Sequence, residues 1–211
     1  MAAEWAEVSA EANVEDKRRA KVGLMSPVLR NQRRAIIFYG LVSIIYDRLN
    51  PHIYTDEMRK MLIDEIEGDK ILDVGVGTGY TSKDLKNAVG IDISQRMLSR
   101  AKDYEGSLIL ADALYPPFKL ESFDTIICAG SLYYLPEPVE GLKIFHSLLR
   151  QNGVVLYLGP NIKLLKFWVR VYSGAELEGL FRLANFKAEK IVKVGWRGIA
   201  YFAKARRLKQ A

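Results

Sequence analysis

Three aspartates and three glycines carry the chemistry that can be read from this chain. Asp73 precedes Gly75, Gly77 and Gly79 in KILDVGVGTGYTS (residues 70–82), Asp92 stands in GIDIS, and Asp112 stands in LADAL. Each acid follows a short apolar run, which places the three carboxylates at the ends of three successive buried strands. A carboxylate at such a place is costly to bury without a hydrogen-bonding or cationic partner, and for Asp73 that partner is expected to be a ligand. The alternate glycines allow a tight turn with positive φ and a backbone that lies directly against what is bound.

Two kinds of nucleotide site compete for this loop. The dinucleotide fingerprint is G-x-G-x-x-G after an uncharged strand, whereas residues 75–79 read G-x-G-x-G with Asp73 two positions ahead. A P-loop is excluded because the Gly-Lys-Ser/Thr ending that holds triphosphate and magnesium is missing. Asp92 lies thirteen residues beyond Gly79, where an acid in a doubly wound fold accepts hydrogen bonds from ribose hydroxyls.

The elements that must position these residues follow from periodicity and breakers. A helix over about 55–67 has Met58, Met61, Leu62 and Ile66 at helical spacing and Thr55 and Asp56 as caps. After the glycine loop come a short helix at about 82–86, a strand at 88–93, a helix capped by Ser94, and strands at 107–110 and 125–129. A helix at about 138–149 leads through Arg150-Gln151-Asn152-Gly153 to a strand at 154–158. A helix begun by Ser173 and two closing strands at 188–194 and 199–204 complete the reading, with residues 204–209 as a solvated basic end. Ahead of all this, residues 17–34 are basic and residues 35–46 apolar. That pairing suits a helical arm that lies on an anionic membrane surface, roofs a pocket or packs on the domain's own core.

LDVGVGTG resembles the first motif of the Rossmann-like, S-adenosylmethionine-dependent methyltransferases, and the later acids strengthen the resemblance. It covers roughly residues 55–205 and implies an α/β, doubly wound, seven-stranded sheet, mostly parallel, with an antiparallel hairpin strand near its end. It divides the chain into an arm and helical cap (1–54) and a methyltransferase domain (55–211). By resemblance Asp73 faces the methionine portion of S-adenosylmethionine, the three glycines pack beneath it, Asp92 takes the ribose and Asp112 the adenine amino group. Ile93, Ala113 and Ala129, beside those strand ends, are expected to line the same cofactor. SIIYDRLNP (residues 43–51) is similar to the Tyr-Asp element of ubiquinone- and menaquinone-biosynthesis methyltransferases, so Tyr46 is matched to a cofactor-approaching tyrosine. The long segment those enzymes carry after the fifth strand is much shortened here.

A sulfonium methyl is already electrophilic, so proximity can supply roughly 7–11 kcal/mol of the barrier without a nucleophilic side chain. Residues 128–132 read Cys-Ala-Gly-Ser-Leu rather than an acid or asparagine before Pro-Pro-Tyr, which disfavours methylation of DNA amino groups. Oxygen, carbon and small-molecule nitrogen acceptors stay open, the lipid-like quinone type among them. Tyr133, Tyr134, His146, Tyr46 and His52 are the polar groups available to orient an acceptor or take its proton. The alternatives are an RNA methyltransferase that uses the basic arm on phosphates, and a non-catalytic cofactor-binding subunit.

The 211 residues suit one catalytic domain, with 49% hydrophobic and 27% charged residues. Net charge is +6, which invites anionic lipid or nucleic acid. The single Cys128 and the lack of metal-spaced ligands point to a reducing, cytoplasmic setting with no metal, peripheral at the membrane if the arm binds lipid.

Overall fold

The structure, a computed structural model, describes residues 54–162 and 170–209. The arm, Tyr46 and His52 lie outside them. Helix α1 (Asp56–Asp64) starts where expected, because Thr55 accepts the Met58 amide as its N-cap, and it buries Met58 and Leu62. Strand β1 (Ile71–Val74) is buried at every position, as a central parallel strand must be. Then follow β2 (Ala88–Asp92), α2 (Gln95–Leu98), β3 (Ser107–Leu110), β4 (Phe123–Ala129), α3 (Pro138–Leu148), β5 (Leu149–Pro160), α4 (Gly174–Leu183), β6 (Phe186–Val194) and β7 (Ala200–Arg207).

The seven strands form one sheet in the order β3-β2-β1-β4-β5-β7-β6. All neighbours are parallel up to β5, and β7 runs antiparallel to both β5 and β6. The expected doubly wound architecture is therefore present. The two sheet faces alternate residue by residue: Leu72, Ile126, Val155 and Tyr157 pack with Phe145 and Phe181 of α3 and α4, while Ile71, Ile127, Leu156 and Leu158 pack with Met58 and Leu62 of α1.

Three local expectations are corrected. The short helix after the glycine loop does not form; single turns run instead, Ser82 to Gly79, Leu85 to Ser82 and Ala88 to Leu85. Too few residues separate the loop from β2 to repay helix nucleation. Strand β5 starts five residues before the expected Val154, because its ladder with β4 resumes across a register shift between Phe123 and Thr125, with Asn152 at φ 65° supplying the extra turn. The basic end is not merely solvated. Arg206 of β7 pairs with Glu67 (2.7 and 2.8 Å) and Glu189 (2.5 and 3.0 Å), and Lys204 reaches Glu65 and Glu67 at 3.0 and 2.7 Å.

Candidate functional site

Strand order reverses between β1 and β4, so the carboxyl ends of these strands open a crevice, the place where doubly wound folds bind ligands. The glycine loop enters it directly. Its first amides, Gly75 and Val76, donate to the Ile91 carbonyl of β2 at 2.8 and 3.0 Å, which turns the chain sharply off β1. Gly75, Gly77 and Gly79 all have positive φ (70°, 58° and 82°). A Cβ at Gly75 would lie 2.5 Å from the Ser131 Cβ, so the loops after β1 and β4 meet there with no room for a side chain. At Gly79 it would lie 2.9 Å from the Tyr104 ring. This is a cradle of bare backbone.

Asp92, the last residue of β2, closes one side. Its Oδ2 accepts the Gly77 amide at 2.9 Å and its Oδ1 the Ser94 amide at 2.8 Å. Burial raises its pKa, opposed by those backbone donors. The Ile93 amide acts on it as well, and since a carboxylate offers about four lone-pair sites, capacity for a further hydroxyl donor is left. Ile93 beside it is more than one-third exposed. Asp112 follows β3, where its Oδ1 accepts the Leu114 amide at 2.9 Å, and Ala113 beside it is half-buried. Ala129 ends β4 at the crevice.

Asp73 sits differently. It is fully buried on the α1 side of β1, and the Ser82 hydroxyl donates to its Oδ2. Burial pushes its pKa up to about 7, the Ser82 hydrogen bond opposing and the Asp92 charge adding to the rise. The partner expected to be a ligand is, in this structure, the hydroxyl of the same loop. Asp73 thereby ties the far end of the loop back to its strand.

On the other side of the crevice the chain places phenols. The Tyr54 and Tyr133 hydroxyls are 3.4 Å apart over Gly130, where a Cβ would lie 3.2 and 3.5 Å from them. Tyr133 belongs to the single 3-10 turn Leu132–Tyr134 and stacks edge-on with Tyr134, 4.3 Å between centroids. The structure thus brings Tyr133 to the strand ends with the glycine loop, Asp92 and Ala129. It does not bring His146. That residue closes α3 at the opposite, amino-terminal edge, where its Nε2 lies 2.9 Å from the Leu208 carbonyl and its ring meets Phe186. Burial lowers its pKa; His146 is a corrected candidate, structural rather than catalytic. Cys128 is buried in β4, and burial raises its thiol pKa. Tyr54, Tyr157 and Gly159 were not singled out from the sequence. A glycine just past each of two neighbouring apolar runs, Gly130 and Gly159, was the signal available.

Among the described residues no group of three His, Cys, Asp or Glu side chains could hold a metal, and no helix is long and apolar enough to cross a membrane.

Residues 72–157 match the family described as the methyltransferase domain. Over 196 residues the chain is 30% identical to 2-methyl-6-phytyl-1,4-hydroquinone methyltransferase 2, chloroplastic, of Oryza sativa subsp. japonica, covering 81% of this chain and 56% of that protein. Over 150 residues it is 31% identical to demethylmenaquinone methyltransferase of Staphylococcus epidermidis, covering 63% of this chain and 62% of that one. The chain spans little more than half the length of these relatives. The fold matches an S-adenosylmethionine-dependent methyltransferase from Thermotoga maritima with a TM-score of 0.70 at 19% identity, over 81% of this chain and 98% of the other.

Proposed function

We propose, from this chain's membership of the Rossmann-like, S-adenosylmethionine-dependent methyltransferases, that it methylates a small, lipid-like acceptor of the hydroquinone type. The observation that carries the cofactor half is the bare-backbone cradle of Gly75, Gly77 and Gly79 closed by Asp92. The similarity to two quinone-ring methyltransferases carries the acceptor half.

S-adenosylmethionine held there would supply an electrophilic methyl group to a nucleophilic atom of the acceptor, leaving S-adenosylhomocysteine and a proton released to water. The chain's own residues bind and orient. Asp92 and Asp112 would hold the nucleoside through its hydroxyls and amino group, with the loop backbone beneath it. Asp73, through Ser82, keeps the loop in its bound shape. Tyr54 and Tyr133 present polar points in an otherwise apolar wall, suited to a ring that is greasy except at its oxygens. The arm at 17–46 is proposed to bring the protein to the anionic surface where such acceptors reside.

The test is a methyl-transfer assay with radiolabelled S-adenosylmethionine and 2-methyl-6-phytyl-1,4-hydroquinone, alongside bulk RNA. Label is expected in the hydroquinone extract. Transfer to RNA alone would overturn the acceptor half. No binding of either S-adenosylmethionine or its demethylated product by calorimetry would overturn both halves.

A further inference from the structure

Tyr157 is fully buried on β5, yet its hydroxyl has no hydrogen-bond partner among the described residues. A buried phenol that donates nothing carries the whole cost of leaving water. Its position explains what it awaits. Tyr157 and Gly159 lie on the same face of β5, two residues apart, and the ring runs along the strand so that its Oη rests where a Gly159 Cβ would be. Gly159 is the next-to-last residue of β5, so the hydroxyl arrives at the carboxyl edge of the sheet.

The neighbouring strand repeats the device. Gly130 follows β4 and donates its amide to the Leu158 carbonyl at 2.8 Å, so the two glycines stand side by side at adjacent strand ends. Over Gly130 sit the Tyr54 and Tyr133 hydroxyls. The Tyr172 ring stands edge-on to Tyr157 at 6.5 Å. Three phenol hydroxyls thus gather over two adjacent glycines, on the β4–β5 side of the crevice whose β1–β2 side carries the cofactor cradle. Two of the three are paired with each other, and the Tyr157 hydroxyl has no partner among the described residues.

We infer that the Tyr157 hydroxyl is a specificity-determining contact, the group that pairs with a ring oxygen of the acceptor and sets the ring against the cofactor. The inference rests on the reading that the acceptor is a hydroquinone-type ring. A phenol donates one hydrogen bond and accepts others, the same capacity as a hydroquinone hydroxyl, so the pair satisfies both partners. An analogue lacking that oxygen leaves Tyr157 as it is now, buried and unpaired.

The experiment compares wild type and Tyr157→Phe with S-adenosylhomocysteine present, measuring the rise in melting temperature caused by 2-methyl-6-phytyl-1,4-hydroquinone. It also measures kcat and KM for methyl transfer to the same compound. Without acceptor the variant is expected to melt at or above the wild-type temperature, because only an orphan hydroxyl is removed. With acceptor its thermal shift is expected to shrink, and kcat/KM to fall roughly tenfold, mainly through KM. A variant that melts well below wild type without acceptor would show that the hydroxyl serves the fold, and would overturn the inference. So would an unchanged thermal shift together with unchanged kcat/KM. If the wild type binds the hydroquinone without methylating it and the variant binds it more weakly, Tyr157 stands while the proposed reaction falls. If the wild type does not bind it at all, both fall.

Discussion

The Gly77 amide donates to Asp92 Oδ2 at 2.9 Å, so the turn after β1 is held by the very carboxylate that ends β2. Asp92 thereby shapes the loop, and under the proposed function it also receives the ribose. Asp92→Ala removes both, and hydrogen bonds to a charged group are worth roughly 1.5–3 kcal/mol each and less than additive in pairs. Cofactor binding is expected to weaken by about 2–4 kcal/mol, read by calorimetric titration with S-adenosylhomocysteine. Asp92→Asn, which keeps an acceptor for Gly77, is expected to lose less. Equal affinity in all three proteins would remove Asp92 from the site.

Two acids, one half-exposed and one fully buried, move stability in opposite directions with pH. Glu67, hydrogen-bonded by Arg206, has its pKa lowered from 4.5 to about 2. Its contribution is present above about pH 4.5 and is lost as pH falls towards 2. Because its side chain is 39% exposed, solvent screening reduces that contribution to about 1 kcal/mol. Asp73 runs the other way. Burial raises its pKa from 3.8 to about 7, so the stability of its neutral form is present below about pH 4 and lost as pH rises through 7. Thermal melts from pH 2 to pH 8 are expected to show Glu67→Gln flattening the acid limb, and Asp73→Asn flattening the decline between pH 4 and pH 7. An Asp73→Asn protein less stable than wild type at pH 8 would mean that the folded chain prefers the carboxylate.

His146 is separated from the crevice by the length of the sheet. It is bonded to the chain beyond β7 through Leu208 and lies 3.2 Å from the Asn185 side chain. His146→Ala removes the ring that packs edge-on against Phe186 and meets the Leu208 carbonyl, leaving a gap there at a cost of about 1–3 kcal/mol. The midpoint of urea unfolding is therefore expected to fall while kcat/KM stays at the wild-type value. A pH–rate profile that loses its basic-group limb in this variant would restore His146 as a catalytic base.

The parts that were legible in the sequence are those whose causes are local. An apolar run and its acid lie within a few residues of each other at Asp73, Asp92 and Asp112, the first followed at once by its glycine turn, and Ser173 with Glu176 announces α4 by a complete capping box. What was not legible depends on partners far along the chain. Lys204 and Arg206 look like a solvated tail until Glu65 and Glu67, 139 positions earlier, are seen to meet them. His146 looks chemical until Leu208 is found at its ring nitrogen. Tyr157 reads as one more apolar-run aromatic, since only the folded ladder shows Gly130 standing beside Gly159.

The position of β7 has a consequence for how the chain is made. It is the last strand of the sheet in sequence but lies between β5 and β6 in space. During synthesis from the amino terminus, β6 emerges first and finds no neighbour, because among the described residues its one ladder is with β7. The first five strands can assemble while β6 waits, with its apolar face exposed. Residues 200–207 then slide between the two edges and zip both at once. A domain closed by its final strand is exposed to aggregation until that moment. Nascent chains stalled short of residue 200 are therefore expected to be more prone to aggregate than the full-length protein.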